Sequence, residues 1–196
     1  GLDSSAIARI SMASFSIRAS GSSRNTASGS GVRAESVSNT TLLPRPNPWF
    51  SASRYDLDKT EDNKALAVAL VEDVLMGKNP AKITDYISAE SYAQHNPYIK
   101  DGLSGIVEAV EALTAQNNMF QYTEIHAVLG EGNFVLTISE GQWNGTTNAF
   151  YDLFRMEDGM IVEHWDVIQP VPTEGLANTN GMFTGFEGVG PESVGQ

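Results

Sequence analysis

Two stretches in the last third of the chain each place polar groups among apolar ones at every second position. Asn148, Phe150, Asp152 and Phe154 form one such set, and Val162, His164, Asp166 and Ile168 form the other. Successive side chains of a strand point to opposite faces, so each set shares one face. Between them, Glu157-Asp158-Gly159 fits a three-residue hairpin loop with glycine in the left-handed position. That register pairs Met156 with Met160, and therefore Asp152 with His164 and Phe150 with Asp166. A two-residue loop at Asp158-Gly159 would instead pair Leu153 with His164. The three-residue loop is preferred because it gathers the polar groups on one surface. A carboxylate beside an imidazole in apolar surroundings suits general acid/base chemistry: desolvation favours the neutral acid, while a neighbouring imidazolium favours the carboxylate. The competing reading is a mutually satisfied buried pair that only fixes the core.

Two further histidines stand apart from this pair. His95 lies in Tyr92-Ala93-Gln94-His95-Asn96-Pro97, entering a turn after a short strand, where it is expected to line the mouth of a pocket. His126 shares a strand face with Tyr122, Glu124 and Val128 and reads as structural. A metal site built from His95, His164 and Asp166 is conceivable, but these residues lack the close spacing that marks strong zinc motifs. No metal is expected. The chain has no cysteine, which removes disulfides, thiolate nucleophiles and cysteine zinc sites.

The elements that must hold these residues follow from periodicity. Thr60, ahead of Glu61 and Asp62, is the expected N-cap of a first helix. Leu66, Leu70 and Val74, with Val71 and Leu75, mark its apolar face, and Gly77 stops it. Asn79-Pro80 opens a short helix carrying Ile83, Tyr86 and Ile87. Ile106, Val110 and Leu113 place a third helix after Ser104. Beyond Asn117 the period changes to two, and four strands are predicted over Phe120–Leu129, Phe134–Trp143, Asn148–Met156 and Ile161–Gln169. Helices first and antiparallel strands afterwards is an α+β layout.

The chain has 196 residues and a formal charge of −12. Residues 1–58 hold six arginines against four acids, so the remainder carries −14. An acidic domain is a poor partner for nucleic acid, whose phosphates need clustered Lys and Arg. No apolar run reaches the roughly 18 residues of a membrane span. Residues 1–58 form a Ser-, Gly- and Arg-rich arm without a sustained period, stiffened by Pro44, Pro46 and Pro48. This composition suits either a transit-peptide remnant or a docking strap, and it favours an organelle interior, plastid or mitochondrion, over cytoplasm. The domain proper is expected over 59–172, with an irregular tail over 173–196. Ala149, Tyr151, Leu153, Ile161, Trp165 and Val167, on the opposite faces of the last two strands, are also apolar. They predict a homodimer through the outer face of the sheet.

Tyr92-Ala93-Gln94-His95-Asn96-Pro97 with Asp101-Gly102, Tyr151-Asp152-Leu153-Phe154-Arg155, and Glu163-His164-Trp165-Asp166-Val167-Ile168-Gln169-Pro170 together resemble the SnoaL-like family. More narrowly they are similar to its branch of predicted aldol-condensing enzymes, and the likeness covers about Thr60–Phe183. The resemblance implies a cone-shaped, curved antiparallel sheet wrapped by three N-terminal helices, as in nuclear transport factor 2-like folds, with a pocket at one end. It also implies intramolecular aldol chemistry without cofactor or metal. Asp152 or Asp166 would shuttle the proton with His164 as partner, and His95 and Asn96 would hold a carbonyl oxygen. Tyr98, Trp143 and Phe150 complete the expected substrate-binding set. One departure is Ile138, where relatives in this branch often carry histidine, with Glu140 nearby.

Two functions remain open on the sequence. One is a cofactor-free acid/base enzyme, an aldol-type cyclase, isomerase or lyase on a small hydrophobic carbonyl compound. The other is a non-catalytic subunit of a larger, organellar assembly, docked through residues 1–58.

Overall fold

The apolar residues between Leu66 and Leu75 wind one continuous helix in a computed structural model that describes residues 56–196. The arm over 1–55, and the transit or docking roles expected of it, lie outside the described residues. Helix α1 (Thr60–Leu70) opens on a 3-10 turn and continues as a wider π-helical turn over Val71–Leu75. Ala67, Leu70 and Val71 are its buried face, and Gly77, at φ +78°, ends the rod. Thr60 does not cap it. Its hydroxyl donates to the Leu57 carbonyl at 2.8 Å and accepts from the Gly132 N–H at 2.9 Å, tying the helix start to a distant turn. A 3-10 turn at Pro80–Lys82 leads into α2 (Ile83–Tyr86). Asn79 precedes the proline as expected, but its amide reaches Asp73 at 2.8 Å instead of capping. Helix α3 spans Gly102–Ala115.

The sheet has five strands: β1 (Ala93–Gln94), β2 (Gln121–Glu131), β3 (Phe134–Trp143), β4 (Thr146–Glu157) and β5 (Met160–Pro170). Their spatial order is β1-β5-β4-β3-β2. The four long strands are antiparallel, whereas the two-residue β1 runs parallel to β5, so the sheet is mixed. Its inner face, carrying Tyr122, Ile125, Val128, Val135, Phe150 and Phe154, packs against Ala67, Leu70, Val71, Ile83 and Tyr86 of the helices.

The β4–β5 hairpin corrects the expected register. Asp158 (φ +52°) and Gly159 (φ +76°) form a two-residue turn, and Glu157 pairs with Met160. The ladder then slips: Met156 pairs with Ile161, but Arg155 pairs with Glu163, leaving Val162 as an extra residue. Without this bulge His164 would oppose Leu153 and face outward. With it, His164 opposes Phe154, Asp166 opposes Asp152, and Trp165 opposes Leu153. Ile161, expected on the outer face, is turned into the core. The polar groups therefore do share one surface, by a route that neither loop length alone provides.

The outer face carries Phe134, Leu136, Ile138 and Glu140 from β3 beside Ala149, Tyr151 and Leu153 from β4. Ile138 belongs there because its neighbour Thr137 is the residue opposite Asp152 on the inner face. Histidine at that position would not reach the interior. After β5 the chain returns across edge strand β2, where the Val128 N–H donates to the Val189 carbonyl at 2.7 Å.

Candidate active site

The inner face of the sheet and the helices enclose an apolar cavity of about 330 Å³. Leu70, Val74, Ile83, Ile106, Val110 and Phe120 supply much of its wall, and its polar end is built by β1, β4 and β5. Asp152, only 1% exposed, is central there. The Tyr122 hydroxyl lies 3.3 and 3.1 Å from its two oxygens, and His164 Nε2 lies 3.0 Å from Oδ1. Asp152 and His164 are thus diagonal rather than opposite neighbours, a distance that long side chains span. The imidazole is stacked on Phe154 with centroids 4.9 Å apart. Asp166 faces Asp152 across the ladder, and both of its oxygens accept from Asn96 Nδ2 at 2.8 Å.

Strand β1 brings the remaining polar groups. Gln94 is beside His164 in the parallel ladder. Its backbone N–H donates to Asp101 Oδ1 at 2.8 Å, which anchors the segment at the start of α3. Its side chain lies within 3.0 Å of the Tyr92 hydroxyl and 3.3 Å of His164 Nδ1. Burial, and then the charge of Asp166, push the Tyr92 phenol up; burial, and then Asp152, do the same for Tyr122. Both phenols therefore remain neutral hydrogen-bonding groups across the ordinary pH range.

Among the expected site residues, Asp152, His164, Asp166, Asn96, Tyr98 and Trp143 line this cavity. Tyr98, 94% exposed, stands at its rim. His95 does not join them. Its ring stacks on Trp165 with centroids 4.4 Å apart, and Trp165 points to the side of β5 opposite His164 and Asp166. From there His95 does not reach the cavity, so, contrary to expectation, it cannot hold a carbonyl oxygen in it, nor can it join His164 and Asp166 around a metal. Phe150 is fully buried beneath the site, 4.2 Å from the Tyr122 ring, and supports that phenol instead of meeting a ligand. His126 lies outside the cavity, 3.2 Å from Glu140 and stacked on Phe183.

Asp152, His164 and Asp166 bring potential ligand atoms within 4.8 Å of one another. The surrounding donors do not suit a cation. A metal-bound imidazole donates its other N–H to an acceptor, whereas His164 Nδ1 faces the side-chain nitrogen of Gln94, a donor group. Tyr122, Tyr92 and Gln94 were missed as site residues by sequence reasoning. The alternation on β2 carries a signal for Tyr122, but the two-residue β1 produces none for Gln94.

A mixed five-stranded sheet closed by three helices, with its polar cluster on the inner face, is a fold of the nuclear transport factor 2-like kind. Within that class the chain belongs to the SnoaL-like domain family, whose model matches residues 67–164. Solved structures similar to it include a candidate ketosteroid isomerase from Kribbella flavida, at 16% identity and TM-score 0.48, covering 64% of this chain and 97% of that one. A cystatin-like-fold protein from Xanthomonas campestris is similar at 22% identity and TM-score 0.47, covering 54% and 89%. An epoxide hydrolase of the LEH-like kind from M. tuberculosis is similar at 17% and TM-score 0.42, covering 57% and 85%. These likenesses are of fold alone. No curated protein matches the chain.

Proposed function

We propose that this domain is a cofactor-free acid/base catalyst that moves a proton at the carbon beside a carbonyl group in a small, largely apolar compound. Aldol-type cyclisation, isomerisation and the reverse cleavage all begin with that step. The observation that carries the reading is the pair of carboxylates, Asp152 and Asp166, opposed at the polar end of an otherwise apolar cavity. Asp166 is the more open of the two and takes the substrate proton. Asp152 is held beside it by Tyr122 and His164. The proton returns from Asp166 to carbon or oxygen of the product, so no electron acceptor is needed. Positioned acid/base groups of this kind contribute about 10²–10⁴-fold to rate.

Solvent deuterium uptake next to the carbonyl, followed by mass spectrometry on a panel of small cyclic and aryl ketones, tests the proposal. Uptake by the wild-type protein that falls about 10²-fold or more in Asp166→Asn, with the fold intact, is the expected result. Uptake equal in wild type and both Asp166→Asn and Asp152→Asn removes the reading. The assembly-subunit alternative depends on the arm, and no observation among the described residues favours it.

A further inference from the structure

We infer that Gln94 is a positioning residue that holds His164 in one tautomer, with the proton on Nε2 and Nδ1 bare. The orientation of the Gln94 amide is set by a group that can only donate. The Asn96 backbone N–H lies 2.9 Å from Gln94 Oε1, so that oxygen must face it. The amide nitrogen is then left to face the Tyr92 hydroxyl at 3.0 Å and His164 Nδ1 at 3.3 Å. An amide NH₂ carries two protons and no lone pair for hydrogen bonding, so Nδ1 has to accept. A neutral imidazole with a bare Nδ1 carries its proton on Nε2, the atom 3.0 Å from Asp152 Oδ1.

Asn96 is oriented by the same logic. The Tyr98 N–H meets its Oδ1 at 2.9 Å, which turns Nδ2 toward Asp166. Two backbone N–H groups thus set two side-chain amides, and each amide sets one acid/base group. The consequence for chemistry rests on the proposed function: His164 serves as a neutral donor that keeps Asp152 an acceptor, and Asp166 carries the proton. The tautomer itself can be read without any substrate.

Nitrogen-15 NMR of the ring nitrogens tests it on the full chain at a pH where the imidazoles are neutral. The chain has three histidines, so a His95→Gln, His126→Gln background isolates His164. The wild-type Gln94 protein should show a protonated Nε2 and an unprotonated Nδ1. Gln94→Glu keeps an oxygen for the Asn96 N–H and presents a second oxygen to Nδ1. It should bring a proton onto Nδ1, raising the Nδ1-protonated population by about tenfold or more, because opposed acceptors in a buried site are costly. Gln94→Leu should give a mixture. A proton on Nδ1 in the Gln94 protein overturns the inference even if neither variant folds, and so does an Nδ1 that stays bare in folded Gln94→Glu. If the tautomer is as expected but no ketone takes up deuterium, the positioning role stands and the acid/base function fails.

Discussion

The Tyr122 hydroxyl lies 3.1 Å from Asp152 Oδ2, and both side chains are buried under the cavity. The phenol is the donor in this contact and satisfies a carboxylate that would otherwise be costly to bury. Tyr122→Phe removes one oxygen and leaves the ring packed on Phe150. A loss of about 1.5–3 kcal/mol in urea denaturation is expected, the scale of a hydrogen bond to a charged group. Most of that loss should disappear when the substitution is made in an Asp152→Asn background, since the two residues share one interaction. Full additivity in this cycle would show that the contact carries no energy.

The raised phenols also set an alkaline limit. Burial is the main cause for both Tyr92 and Tyr122, so the folded state holds their protons more tightly than the unfolded chain does. Their contribution is fully present below the unfolded phenol value of about 10 and is lost as pH rises above it. Thermal melts between pH 8 and 11 should fall more steeply for wild type than for the Tyr92→Phe, Tyr122→Phe double variant.

An acid limit arises elsewhere. Asn79, then Lys82, then the Tyr86 hydroxyl donate to Asp73, holding its carboxyl well below the usual carboxylate range. This stabilisation is present above the unfolded value near 4 and is lost as pH falls below it. Asp73→Asn should be less stable at pH 7 and should show a flatter loss between pH 4 and 2. Parallel acid titrations of the two proteins would show that the triple contact is idle.

Gly141 allows β2 and Phe150 to approach β3 closely. An added Cβ would collide with the Gln121 carbonyl oxygen and come within 2.9 Å of Phe150 Cε2. Because one of these neighbours is backbone, Gly141→Ala should cost about 1–3 kcal/mol, measured as a lower urea midpoint.

The outer face of the sheet is expected to pair with a second copy of the chain. Tyr151, Leu153 and Trp165 are only half-buried there, and Val167 is 63% exposed. Trp165→Glu should convert a dimer to monomer or aggregate in sedimentation velocity. A wild-type protein that sediments as a monomer at micromolar concentration rules the interface out.

The helices and long strands were legible because their apolar spacing repeats over many residues. Leu66 through Leu75 and the alternation on β4 each carry enough positions to outweigh any single exception. The pocket-facing set Asp152, His164 and Asp166 was legible for the same reason. The bulge was not, because nothing in the type of Val162 distinguishes it from its neighbours Ile161 and Glu163. Local backbone freedom chose the two-residue turn, and the ladder then recovered its polar face by slipping one residue. His95 was misplaced because a loop residue has no period from which its direction could be read. Gln94 acts through an amide orientation fixed by a backbone contact two residues away, which no pattern of residue types encodes.

Strand β1 holds only Ala93 and Gln94 against β5, whereas β4 pairs with β3 over Thr146–Arg155 and with β5 over Asn148–Glu157. The candidate site is therefore joined across a boundary between slowly and quickly exchanging backbone. Amides around Asp152 should exchange with solvent only in deep, cooperative openings, while the β1 segment can detach in shallow ones. In such an excursion the amide wall leaves first. The Asp152–Tyr122 core remains, and His164 is briefly free to choose its proton.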